Sequence, residues 1–226
     1  MSDAIQIAEQ ITESGAFDNL APPLQMALFL GGLAFASAAL VSVTAFTRII
    51  IVLSFVRRAM TTQEIPPNPV LIGLSLFLTL LVMGPTWDEM NTRAVTPYLN
   101  GELSGAEACR AGAEPLQKFM LRQTRRQDLA LFLHMAGAES VQSPADTPMR
   151  VLVPAFVVSE LKTAFLMGFC IYVPFLLVDL VVSTVLMSMG MMMMPPVVIS
   201  TPFKILLFVL ADGWHLVARA LSMSFG

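Results

Sequence analysis

The stretch Met189-Gly190-Met191-Met192-Met193-Met194-Pro195-Pro196-Val197 decides how this chain folds. Four consecutive methionines stand between a glycine and a proline pair, with apolar sequence on both sides. Glycine and paired prolines end helices, so a break falls inside hydrophobic sequence. Lipid cannot satisfy bare backbone groups, and such a break must be walled by protein or line a cavity. Methionine side chains are unbranched, flexible and apolar, and they close around objects of different shape. Copies of this loop meeting around an axis would form a deformable apolar ring. The plainer reading is a Met-rich turn that fills a gap between helices.

Composition places the loop in a membrane. Of 226 residues, 56% are hydrophobic and 13% charged, and the mean hydropathy is +0.73. Soluble domains carry about 25% charged residues, so this is an integral membrane protein. A net charge of −3 argues against a nucleic-acid partner. Cys109 and Cys170 fall in a polar and an apolar segment, are not expected to pair, and have no metal-ligand spacing around them. His134 and His215 lie far apart, and no phosphate loop, nucleophile motif or zinc motif is present. The chain is therefore expected to be neither an enzyme nor a cofactor or metal protein. Residues 1–21 hold Asp3, Glu9, Glu13 and Asp18 without a base, which does not fit a secretory signal and reads as a short amphipathic or mobile arm.

Four apolar segments follow: residues 24–56, 70–87, 151–189 and 197–225. The first, 33 residues with Arg48 as its one charge, is too long for a simple span, and the second has only 14 residues before Gly84. Pro154, Gly168, Pro174 and Pro202 are expected to interrupt the last two. Uneven, broken helices of this kind suit burial against protein more than exposure to lipid. The expected fold is an all-α membrane protein of long broken helices arranged as hairpins. The first hairpin takes residues 24–87 and the second residues 151–226, after an arm over residues 1–23. Arg57-Arg58 in a short loop favour the cytoplasmic side, which puts the polar region, residues 88–150, outside. There Glu114-Pro115 is expected to open a helix through Ala136, with Arg122, Arg125 and Arg126 as a basic patch.

Five ionisable residues lie within the last two apolar segments: Glu160, Lys162, Asp179, Lys204 and Asp212. Each is costly in lipid unless paired or hydrated. If residues 190–196 are the tip of an antiparallel hairpin, depth predicts pairing. Asp179 lies 11 residues before Gly190 and Lys204 lies 8 after Pro196. An Asp179–Lys204 pair is expected, with Glu160 as a further candidate partner. Water in a cavity, snorkelling to an interface and a proton relay are the alternatives.

Several stretches resemble one family in order along the chain. They are Phe46-Thr47-Arg48-Ile49-Ile50-Ile51-Val52, Pro66-Pro67-Asn68, Phe119-Met120-Leu121-Arg122-Gln123-Thr124-Arg125 and Ser159-Glu160-Leu161-Lys162-Thr163-Ala164-Phe165. The methionine loop, Pro202-Phe203-Lys204 and Leu207-Phe208-Val209-Leu210-Ala211-Asp212-Gly213-Trp214 complete the pattern. From about Ala21 onward the chain resembles the FliP family, core subunits of the flagellar type III export gate. The resemblance implies several copies, about five, around an axis, joined by FliQ and FliR in a cone-shaped helical assembly. It further implies contact with the basal body and other export components, passage of unfolded flagellar proteins, and an inner-membrane location. The family's methionine loop is associated with sealing the channel. The injectisome counterpart is similar in the last two segments. From other classes, a small-solute secondary transporter and a scaffold subunit without a pore surface remain open on the residues alone.

Overall fold

The computed structural model describes residues 21–62, 65–137, 146–191 and 194–226, apart from the side chain of Ala36. Met192 and Met193, and the arm over residues 1–20, lie outside the described residues. Every described element is a helix. In chain order they are α1 (Pro22–Ser42), α2 (Phe46–Ala59), α3 (Asn68–Met90), a π-turn (Asn91–Val95) with short α4 (Thr96–Leu99), α5 (Gly105–Gln123), α6 (Arg126–Met135), α7 (Met149–Ser188), α8 (Pro196–Leu210) and α9 (Gly213–Met223).

α1, the run Asn68–Leu99 and α7 are each long and apolar enough to cross a membrane. The pair α8 and α9, bent by 63° at its break, makes a fourth if it counts as one span. The chain is an all-α membrane protein. The first apolar segment is not one helix: it breaks at residues 43–45 between α1 and α2. Among the described residues α1 has no buried face; Phe29 is 66% and Phe35 76% exposed. By contrast, α2 buries Ile49, Val52, Leu53 and Val56 together with Arg48, a helical spacing that puts them on one face.

The four expected interruptions are absent, and Pro202 sits inside α8. α7 runs unbroken for 40 residues through Pro154, Gly168 and Pro174, twice the roughly 20 residues that cross a bilayer. In a membrane-spanning helix, neighbouring groups can offset the hydrogen bond a proline removes. α5 starts at Gly105, ten residues before Pro115, which sits buried inside the helix. The start is set by a capping box: the Glu107 N–H donates to Ser104 Oγ, and the Ser104 N–H donates to the Glu107 carboxylate at 2.9 Å. The Ser104 N–H first, and second the Ser104 hydroxyl, which donates to Glu107 Oε2 at 2.8 Å, hold the Glu107 carboxyl below the usual range. The helix then ends at Gln123, and α6 is separate.

The described residues form two compact units. The first takes those up to Thr44 with Met83–Ser159. Its core joins Phe119 and Met120 of α5 to Leu152, Ala155 and Phe156 of α7, with Phe119 and Phe156 edge to face at 6.0 Å. The Arg125 N–H donates to the buried Ser159 hydroxyl at 3.0 Å. The second unit takes Ala45–Val82 with Glu160–Gly226. It holds α2, most of α3, the long remainder of α7, α8 and α9, and with them every candidate site residue that is described.

Candidate functional site: a methionine turn above two buried ion pairs

The turn itself is built by its flanking residues. Gly190 adopts φ 76°, a left-handed conformation that favours glycine. The Met191 N–H donates to the Leu186 carbonyl at 3.0 Å and the Gly190 N–H to the Met187 carbonyl at 3.1 Å. This is a Schellman end to α7. Pro195 then stands at the cap of α8 and Pro196 at its first helical position, where a missing N–H is harmless. Met191 and Met194 are each 39% exposed.

Below the turn, α8 presents Ser200, Lys204 and Phe208 at four-residue spacing as its buried face. The Lys204 ammonium donates to Asp179 Oδ2 at 2.5 Å, and the Ser200 hydroxyl donates to Asp179 Oδ1 at 2.6 Å. One turn deeper, Phe175 of α7 meets Phe208, ring centroids 6.3 Å apart. A salt bridge and an aromatic contact thus fasten the two arms in succession. Nearer the tip, Thr61 and Thr201 share a hydrogen bond of 3.0 Å between their hydroxyls, tying the end of α2 to α8.

A second ion pair lies on another face of α7. Glu160 is completely buried and Arg48 nearly so. The Arg48 Nε donates to Glu160 Oε2 at 2.8 Å, and Nη2 donates to Oε1, a two-pronged pairing. The remaining Nη1 donates to the Ser224 carbonyl at 2.8 Å and to its hydroxyl at 3.1 Å. The ring of Phe225 lies 3.9 Å from the guanidinium carbon, a cation–π distance. Arg48 therefore joins α2, α7 and the chain's last residues.

Of the five ionisable residues, the structure brings Asp179 and Lys204 together. Glu160 takes Arg48 as its partner rather than joining them. Lys162 and Asp212 lie exposed and form no ion pair among the described residues. Asp212 occupies the break between α8 and α9 at φ 50°. The sequence reading missed Arg48, Ser200 and Ser224 as members. A usable signal existed for Arg48: it is the only charge in its apolar segment and needs a buried acid.

Two glycines allow the close packing. A Cβ on Gly168 would stand 2.5 Å from the Phe55 ring, and one on Gly213 would stand 2.3 Å from the Phe208 ring. Phe55 packs edge to face on Phe165 at 5.4 Å, and Phe208 on Trp214 at 5.2 Å. Beside the turn, α7 and α8 leave an open apolar groove of about 760 Å³, walled by residues such as Val181, Val185, Met189, Ile199 and Phe203. No cluster of three metal-ligating side chains occurs among the described residues.

These elements define an integral membrane protein whose buried polar groups fasten helices together. A sequence model of the FliP family matches residues 29–221. The Flagellar biosynthetic protein FliP of Bacillus subtilis (strain 168) is 51% identical over 208 residues, covering 92% of this chain and 94% of that protein. That of Pectobacterium carotovorum subsp. carotovorum is 53% identical over 202 residues, covering 89% and 78%. The Aquifex aeolicus (strain VF5) protein of the same name is 47% identical over 209 residues, covering 92% and 87%. The chain belongs to the FliP family, and its long apolar helices make it membrane-associated.

Proposed function

We propose that this chain is a pore-forming subunit of the flagellar type III protein export gate in the bacterial inner membrane. Several copies, with FliQ and FliR, surround a path for unfolded flagellar proteins. Residues 24–87 and 151–226 act as the two apolar hairpins and residues 88–150 face outward. Met191, Met192, Met193 and Met194 form the tightest apolar constriction of the closed channel, set by the break at Gly190, Pro195 and Pro196.

The observation that carries this reading is the fastened turn. A tip of methionines stands on arms held by the Asp179–Lys204–Ser200 cluster and the Phe175–Phe208 contact. The tip can repack while its base stays put. Methionine suits this because its thioether chain adapts at low cost, and an apolar constriction blocks ions by dewetting. The exposed length of α1 supports an assembly, since among the described residues it presents no buried face.

Replacing the four methionines with alanine should widen the constriction and let small ions leak. The measurement is ion or dye flux through vesicles carrying the assembled complex, with assembly checked separately by native gel. Unchanged flux through a fully assembled alanine variant would reduce the loop to packing.

A further inference from the structure

The methionines around the turn differ in how their side chains are seated. Met187 and Met189, at the end of α7, are 59% and 67% exposed. Met191 and Met194 are each 39% exposed, so each side chain is partly packed and partly open. Elsewhere in the chain Met83 and Met120 are fully buried.

The backbone holds the two half-seated residues in place. The Met191 N–H donates to the Leu186 carbonyl at 3.0 Å, and the Met194 N–H to the Met191 carbonyl at 3.4 Å. Pro195 and Pro196 fix the chain directly after Met194. Below them the Lys204–Asp179 pair ties α8 to α7. Leucine would supply similar apolar bulk at these positions. What methionine adds besides flexibility is a thioether sulfur, which takes up oxygen reversibly.

We propose that Met191 and Met194 form an oxidation site through which a hydroperoxide opens the channel. This rests on the sealing role proposed above. In the step, a sulfur lone pair attacks one peroxide oxygen. The S–O bond forms as the O–O bond breaks, and the departing hydroxide takes the proton of the transferred oxygen and leaves as water. Sulfur loses two electrons and the peroxide gains them. A thiol-dependent reductase reverses the step: two thiols become a disulfide and the oxygen leaves as water. The product sulfoxide is polar, whereas a constriction that excludes ions by dewetting needs apolar walls. Partial seating supplies both requirements. A fully buried sulfur is shielded from the oxidant, and a fully exposed one alters no packing when oxidised. Every copy contributes both sulfurs, so the change is multiplied around the axis.

The test uses vesicles carrying the assembled complex, with Cys109→Ser and Cys170→Ser, because both cysteines are exposed and would consume peroxide themselves. Hydrogen peroxide should raise ion flux by about tenfold or more. Methionine sulfoxide reductase with dithiothreitol should return the flux to its starting value. Peptide mass spectrometry should find sulfoxide on Met191 and Met194 well before Met83 and Met120. Met191→Leu with Met194→Leu should hold the peroxide-treated flux several-fold below that of the wild type, although the other exposed methionines remain. If that variant does not assemble, the reductase reversal on the unsubstituted turn decides. Flux that rises equally in the leucine variant, or a rise without sulfoxide at Met191 and Met194, would overturn the site. Leakage of the four-alanine variant without oxidant, beside a wild type that peroxide leaves closed, would overturn the switch and keep the seal. No leakage from either would remove the seal itself.

Discussion

The two buried ion pairs of the second unit differ in how completely they close. Arg48 and Glu160 are 2% and 0% exposed, and the guanidinium has no edge left over: carboxylate, Ser224 and Phe225 surround it. Lys204 is as buried, at 1%, but its partner Asp179 is 30% exposed and keeps contact with solvent. Arginine's planar fork fixes one geometry, whereas an ammonium on a flexible stem tolerates several. The pair distant from the methionine turn is therefore a rigid clip joining three parts of the chain. The pair beneath the turn holds two arms together and leaves them room to adjust. On the proposed reading, a seal that opens and closes is served by the second kind at its base and the first kind elsewhere.

The largest effect should come from breaking the closed clip. Glu160→Ala leaves a buried guanidinium without its acid, at about 3–5 kcal/mol. Thermal unfolding in detergent, or the yield of assembled complex, should fall accordingly. Arg48→Lys should recover little of an Arg48→Ala loss, because an ammonium cannot fork across the carboxylate and Ser224 together. Full recovery would show that charge alone matters there.

Breaking the open pair should cost less. Lys204→Ala or Asp179→Ala should fall near the low end, about 3 kcal/mol, since solvent at Asp179 screens part of the interaction. Exchanging the two residues should restore part of the loss, as measured by unfolding of the double exchange beside each single variant. An exchange no better than either single change would remove this pair as the fastener.

Smaller again are the steric tests. Gly168→Ala and Gly213→Ala each drive a Cβ into a phenylalanine ring. Each should cost about 1–3 kcal/mol of stability, less if the ring turns aside. Gly213→Ala, next to the 63° bend, should also alter assembly yield if that bend is needed.

The smallest effect belongs to the first unit, outside the comparison, and serves as its control. Ser104→Ala should cost about 1 kcal/mol and leave gate properties intact. Because Glu107 has its carboxyl lowered by Ser104, its contribution is present above the ordinary carboxylate pKa. It is lost as pH falls through the depressed value. A pH titration of wild-type stability should show that acid-side loss, and Ser104→Ala should reduce it only in part, because the Ser104 N–H bond to Glu107 remains.

Legibility in the sequence followed the range of the interaction. The methionine turn was readable because glycine and proline act locally. The Asp179–Lys204 contact was reachable by counting, since both arms start from one tip. Arg48 and Glu160 are 112 residues apart in sequence, on helices that share no tip, and counting could not join them. The start of α5 was missed because Pro115 was read as a helix opener, although Ser104-Gly105-Ala106-Glu107 carries the stronger signal. The unbroken α7 shows the limit of reading prolines as stops inside apolar sequence. Assembly symmetry was not readable at all, because it depends on surfaces of other chains.

On the proposed function, the methionine turns of different copies converge on one axis. A single cysteine at Met194, in a chain carrying Cys109→Ser and Cys170→Ser, tests it directly. Both native cysteines are free and exposed and would otherwise report their own contacts. Oxidation of membranes holding the assembled complex should give disulfide-linked dimers of the chain on a denaturing gel, reversed by reductant. Monomer alone, from complexes that a native gel shows to be assembled, would contradict the convergence and the seal with it.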